Sequence, residues 1–206
     1  MSTLLVIAKA PVAGRVKTRL TPHFTPEEAA ALARAALEDT LAAVLATDVR
    51  RRVLVLDGQP GPWLPGGIEV VPQGAGGLDV RLAAAFALPD GPALLIGMDT
   101  PQVTPELLAQ GLDFSAAGAW FGPADDGGFW ALGLAEPDPA LLLGVPMSVA
   151  HTGREQRERL TRSGRAVRDL PTLCDVDTPA DAARVAAAAP DTRFAALHSY
   201  LCAVTR

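Results

Sequence analysis

Lys9-Ala10-Pro11-Val12-Ala13-Gly14-Arg15-Val16-Lys17-Thr18-Arg19-Leu20 holds four cations and no acid. The run before it, Leu4-Leu5-Val6-Ile7-Ala8, is short, apolar and partly β-branched, which reads as a buried strand. Thr25-Pro26-Glu27-Glu28 follows it with an N-cap, a proline at the first helical position and two acids in the first turn, the signature of a helix start. A cationic loop is thereby set between a strand and a helix, and open α/β sheets bind ligands at the carboxyl ends of their strands. Pro11 and Gly14 shape the loop backbone, while Lys9, Arg15, Lys17 and Arg19 suit a phosphate-rich anion. A solvated basic loop is the other reading of the same residues. A Walker loop requires glycine, lysine and a hydroxyl residue in succession. Here Arg15 and Val16 separate Gly14 from Lys17, which excludes the P-loop kinases and GTPases.

The chain has 206 residues, a length that suits one domain spanning 1–206 with a substantial core. Hydrophobic residues make up 49%, yet no apolar run is long enough to cross a bilayer. No basic region precedes the first apolar run, which is itself too short for a secretory signal, so the expectation is a cytoplasmic protein without a membrane partner. Cys174 and Cys202 form neither a disulfide framework nor a zinc-like cluster. The net charge of −5 argues against a general nucleic-acid surface despite the basic loop.

Beyond the loop, Pro26 to Ala46 reads as a long Ala-rich helix with Leu32, Ala36, Leu37, Leu41 and Val44-Leu45 on one face. Val53–Leu56 and Ile68–Val71 read as strands, and Arg50-Arg51-Arg52 as the solvated entrance to the first of them. Gln73-Gly74-Ala75-Gly76-Gly77 is a glycine-rich turn where a ligand can approach the backbone, Gly76 included; a flexible turn explains it equally well. Arg81 follows early in a helix running through Ala87, within reach of either a phosphate or a surface acid. Ala93–Met98 is the clearest central strand and delivers Asp99-Thr100-Pro101 at its carboxyl end. Thr104-Pro105-Glu106 supplies the next helix start, so Asp99 is not needed as a cap, and a carboxylate so placed suits Mg²⁺ bound jointly with substrate phosphates.

Ala119–Gly122 and Phe129–Leu134 read as further strands around Pro123-Ala124-Asp125-Asp126-Gly127-Gly128. That stretch is either a plain hairpin turn or the floor of an acceptor pocket, with Phe129 and Trp130 assigned to the core. His151 to Arg168 carries six arginines against two glutamates, the pattern of an exposed helix ended by Gly164. Ala166–Leu170 closes as a short strand, Thr178 or Asp177 caps a helix with Pro179 at its first position, and a last helix turns Phe194, Leu197, Tyr200 and Leu201 inward.

Three of these stretches together, the first strand with Lys9–Leu20, Gly97-Met98-Asp99-Thr100-Pro101 and Asp175-Val176-Asp177-Thr178-Pro179, resemble nucleotidyltransferases of the GT-A, nucleotide-diphospho-sugar transferase fold. Gly122 to Trp130 draws the resemblance closer to the CofC-like transferases, relatives of 2-phospho-L-lactate guanylyltransferase. The resemblance covers nearly the whole chain. It implies a three-layer α/β/α sandwich with a mostly parallel central sheet. It also implies that the first loop wraps nucleotide phosphates, with Arg15, Lys17 and Arg19 leading, and that Arg15, Lys17 and Asp99 serve catalysis. Asp99 and Asp177 would hold Mg²⁺, while Asp126, Gly127 and Gly128 would face the acceptor. Guanine is favoured by the resemblance alone.

The activity so expected is transfer of a nucleoside monophosphate from a triphosphate to a small phosphorylated or hydroxylated acceptor, with release of pyrophosphate. That chemistry needs positioning and charge neutralisation more than a covalent nucleophile. The chain offers cations and carboxylates at strand ends but no Ser-His-Asp or Cys-His pattern. A glycosyltransferase using a nucleotide-sugar on the same scaffold is the alternative, and a non-catalytic nucleotide-binding module a third reading.

Overall fold

The computed structural model describes residues 2–204. Seven strands form one sheet in the order β3-β2-β1-β4-β6-β5-β7. They are β1 (Thr3–Lys9), β2 (Arg51–Asp57), β3 (Glu69–Pro72), β4 (Ala93–Ile96), β5 (Ala119–Pro123), β6 (Phe129–Leu134) and β7 (Val167–Asp169). Only β6 runs against its neighbours β4 and β5; every other pairing is parallel. The register Thr3↔Arg51 to Lys9↔Asp57 brings the ends of β1 and β2 level. The carboxyl ends of the parallel strands therefore share one edge, onto which β6 opens with Phe129. This is the expected α/β fold, with helices on both faces.

Among the described residues the six α-helices are α1 (Pro26–Ala46), α2 (Leu78–Phe86), α3 (Pro105–Gly111), α4 (Thr152–Arg162), α5 (Pro179–Ala188) and α6 (Arg193–Val204). Three of them start on the same dipeptide: Thr25, Thr104 and Thr178 each accept a first-turn N–H before a proline. Thr25 and Thr178 complete the cap reciprocally with Glu28 and Asp181. Alternation along the strands splits the core in two. Leu4, Val6, Leu54, Leu94 and Ile96 pack on the α1 and α3 face. Leu5, Val53, Val55, Leu95 and Leu132 pack on the α2 and α4 face.

A third cluster joins α1 to α5 and α6 through Leu32, Ala36, Val185 and Phe194. Asp39 is polar but buried on α1, and its carboxylate accepts from the backbone N–H groups of Arg193 (3.1 Å) and Phe194 (2.9 Å), capping α6. Phe194 and Leu201 point inward as expected, with Leu197 packed against the same cluster. Tyr200 does not. It is 64% exposed, because the inward face of α6 recurs at 194, 197 and 201 and leaves position 200 to its side. Among the described residues no helix is long and apolar enough to cross a membrane.

Candidate active site

A cleft of about 710 Å³ runs along the carboxyl edge of the sheet. The residue types that end the strands are what make it polar. β1 ends at Lys9, β4 is followed by Gly97-Met98-Asp99, β3 by Gln73, and β5 by Ala124 and the turn to Phe129. Lys9, Arg15, Lys17 and Arg19 all line this cleft, as do Asp99, Asp126, Gly128 and Asp177. Gly14, Gly76 and Gly127 are not part of its lining; each sits in its turn at positive φ.

The first loop is held in a specific shape. Val16 is 7% exposed and packs into the core as the loop's inward anchor. Lys17 adopts a left-handed backbone (φ 49°), a conformation that disfavours a residue with a Cβ. Its side chain is 10% exposed, and the ammonium lies 2.7 Å from Asp99 Oδ2. Beside it Arg19 is ion-paired with Asp177. The loops of Asp99 and Asp177 are joined by the Val176 N–H, which donates to the Asp99 carbonyl at 2.9 Å. Two carboxylates far apart in sequence thus face one cleft.

Asp99 Oδ1 is buried and has no hydrogen-bond partner among the described residues. An orphaned carboxylate oxygen beside the first-loop cations fits a divalent metal that draws its other ligands from substrate and water. No group of three or more His, Cys, Asp or Glu side chains is arranged to hold a metal by itself among the described residues.

Asp175 lies in this site too and was not singled out from the sequence. Burial pushes its carboxyl up to about 6, and the negative charges of Asp126 and Asp99 push the same way. Gln73 is a second such residue. Its amide donates to the Ala8 (2.7 Å) and Val55 (3.0 Å) carbonyls and its oxygen accepts from Arg81 at 3.1 Å, fixing Arg81 on the cleft wall. Arg81 Nε is buried without a partner among the described residues. Of the two readings of Arg81, its nearest acid is Asp57 at 3.7 Å, and the guanidinium lines the cleft.

The hairpin turn separates its two acids. Asp125 pairs with Arg184 at 3.0 Å, away from Asp126, whose Oδ1 accepts from the Gly128 N–H at 2.7 Å. Gly127 is at φ 87°, and a Cβ there would meet the Ala150 carbonyl oxygen at 2.0 Å, so the segment before α4 packs directly on the turn. Trp130 is core as expected. Phe129, one position along and on the opposite face, packs against the second core cluster as expected, and both aromatics also line the cleft.

A family profile described as "Uncharacterized protein conserved in bacteria (DUF2064)" matches residues 30–149. No curated protein matches the sequence. Among solved structures, the chain is similar to a putative nucleotide-diphospho-sugar transferase from Desulfovibrio desulfuricans G20. That match has 26% identity and a TM-score of 0.88, covering 98% of this chain and 95% of that one. It is also similar in fold to 2-C-methyl-D-erythritol 4-phosphate cytidylyltransferase from Thermus thermophilus (17% identity, TM-score 0.54, 98% and 99% covered). A third likeness in fold is to Rv0371c from Mycobacterium tuberculosis H37Rv in complex with manganese (23% identity, TM-score 0.52, 88% and 96% covered). The expectation of a transferase enzyme agrees with the named transferases in this set.

Proposed function

The chain belongs to the DUF2064 family, and from that premise and the build of its cleft we propose a metal-dependent nucleotidyltransferase, a single domain over residues 1–206 working in the cytoplasm. The observation that carries this reading is the Lys17–Asp99 pair, a buried ammonium held against a half-exposed carboxylate in the cleft. A nucleoside triphosphate gives Lys17 a second anionic partner and leaves Asp99 free to ligate a cation. Lys9, Arg15 and Arg19 bind the remaining phosphate oxygens, and Gly14 and Gly76 let the loops on either side approach the nucleotide. Asp99 and Asp177 hold the divalent ion, for which the manganese complex of a protein of the same fold is a precedent. When bound, the ion neutralises phosphate charge and polarises the α-phosphate.

An acceptor oxygen held near Asp126, Gly127 and Gly128 forms a bond to the α-phosphorus. The bond from that phosphorus to the bridging oxygen breaks, and pyrophosphate leaves with the electron pair. The chain's part is positioning and fixed charge, with Arg15, Lys17 and Asp99 closest to the reacting phosphates. A nearer kinship to the CofC-like relatives of 2-phospho-L-lactate guanylyltransferase, with GTP favoured and Mg²⁺ as the working ion, belongs to the same reading. Glycosyl transfer from a nucleotide-sugar is the second reading, favoured by the near full-length likeness to the Desulfovibrio protein. Incubation with each triphosphate, Mg²⁺ or Mn²⁺ and a panel of small alcohols and phosphate esters should release pyrophosphate. Release of a nucleoside diphosphate from a nucleotide-sugar, with no pyrophosphate from any triphosphate, would replace it with the second reading.

A further inference from the structure

Three buried threonines of this chain give their hydroxyls to the backbone, and a fourth does not. Thr40 and Thr47 donate to the carbonyls of Ala36 and Ala43, one turn back on α1, at 2.9 and 2.8 Å. Thr152 donates to the Pro146 carbonyl at 2.7 Å. Thr100 is 1% exposed, and its hydroxyl oxygen is buried with no hydrogen-bond partner among the described residues. Local structure gives position 100 no use for a hydroxyl. The backbone closes the turn that follows, with the Val103 N–H donating to the Thr100 carbonyl at 3.1 Å. Thr104 is the residue that caps α3. A valine at position 100 would keep the branched shape without burying a polar group.

Two facts tie this hydroxyl to the site. Thr100 lines the cleft. The residue before it, Asp99, carries another buried oxygen without a partner, Oδ1, while its Oδ2 is held by the Lys17 ammonium. Consecutive residues thus present two unsatisfied oxygens, a carboxylate oxygen that only accepts and a hydroxyl with free lone pairs. A phosphate oxygen placed between them would meet the carboxylate's charge. A divalent cation with its water shell satisfies both. Resting on the nucleotidyltransferase reading, we propose that Thr100 is a further member of the cation's shell, its hydroxyl oxygen forming with Asp99 Oδ1 a hard two-oxygen seat after β4. An oxygen seat of this kind suits Mg²⁺ or Mn²⁺. Thr100 acts through the cation and not on the reacting atoms, which makes it a positioning residue. The free chain carries the cost of two orphaned oxygens, and loading removes it.

Thr100→Val removes the hydroxyl and Thr100→Ser keeps it. Two measurements on the full chain test the assignment. One is the melting temperature without ligand. The other is calorimetry, in Mn²⁺ and again in EDTA, of whichever common triphosphate binds wild type most tightly. Wild type should bind the triphosphate more tightly in Mn²⁺. The free valine variant should melt about 2 °C or more above wild type, because an orphaned polar group is gone. Its gain in affinity from Mn²⁺ should shrink roughly tenfold, while its affinity in EDTA stays within about twofold of wild type. Thr100→Ser should keep the Mn²⁺ gain within about threefold of wild type. A valine variant that melts no higher than wild type, keeps the full Mn²⁺ gain, or loses affinity equally in EDTA overturns this inference. So does a wild type whose triphosphate affinity is the same in Mn²⁺ and EDTA. Each of these results leaves triphosphate binding, and with it nucleotidyl transfer, standing. Failure of every triphosphate to bind wild type overturns both.

Discussion

Two stretches of this chain are rich in cations, and the fold uses them in opposite ways. Along α4 and the turn after it, Arg157 grips Asp169 of β7 at 2.8 and 2.9 Å, Arg162 reaches Glu158 at 3.3 Å, and Arg165 meets Ser163 at 2.8 Å. These are surface pairs between neighbours in sequence or packing. The first loop has fewer cations, but it lies at the carboxyl end of β1, and its pairs reach Asp99 and Asp177, across the chain. What separates a site from a charged face is not cation density. It is the backbone that delivers the cations: a loop between parallel strands has a concavity beneath it, whereas a helix on the flank has only solvent.

The comparison breaks first at Asp99. Asp99→Asn should cut metal-dependent turnover by about 10²–10³-fold, the scale of losing one preorganised electrostatic contact. Turnover within a few-fold of wild type would mean that the carboxylate serves only to hold Lys17. Next comes Lys17→Ala, which should weaken triphosphate binding roughly ten- to a hundredfold. Unchanged affinity by calorimetry would make the loop structural, no different in kind from α4.

A smaller effect concerns Asp175. The Asp175 carboxyl is raised from 3.8 to about 6 in the folded chain. Its contribution to stability is complete below the unfolded value and is lost as pH rises through the folded one, because the native group must then ionise in a buried position, beside Asp126 and Asp99. Without nucleotide, wild type should therefore lose stability between about pH 4 and 7 relative to Asp175→Asn. The gap in melting temperature should be about 2–4 °C for each kcal/mol involved. Parallel melting curves for the two proteins across that range would count against the assignment. Smallest of all, Arg154→Ala and Arg162→Ala should leave triphosphate affinity unchanged and stability within about 0.5 kcal/mol, as for exposed ion pairs generally. A tenfold loss of affinity in either would extend the binding surface onto α4.

Much of this was legible in the residues. The apolar runs gave every strand to within a few positions, and the Thr-Pro dipeptides marked three helix starts because cap chemistry is local. The first loop and Asp99 were legible for the same reason: each is the first polar group after a buried run. What escaped notice depended on long-range packing. Asp39 interrupts an apolar helix face without any local sign that α6 begins against it. Gln73 reads as one polar residue in a glycine-rich turn until β1 and β2 lie beside it. Asp175 and Asp177 look alike in sequence. Arg19 pairs with Asp177, while Asp175 is half-buried and has no ion pair among the described residues.

The most direct test of the central claim is a competition between nucleoside triphosphates and nucleotide-sugars for the cleft in Mn²⁺ or Mg²⁺, followed by calorimetry. A first loop shaped to hold β- and γ-phosphates should make at least one triphosphate the tighter ligand, and Arg15→Ala or Lys17→Ala should shrink that preference. A nucleotide-sugar that binds more tightly than every triphosphate, with no detectable triphosphate complex, would contradict the account and assign the cleft to glycosyl transfer.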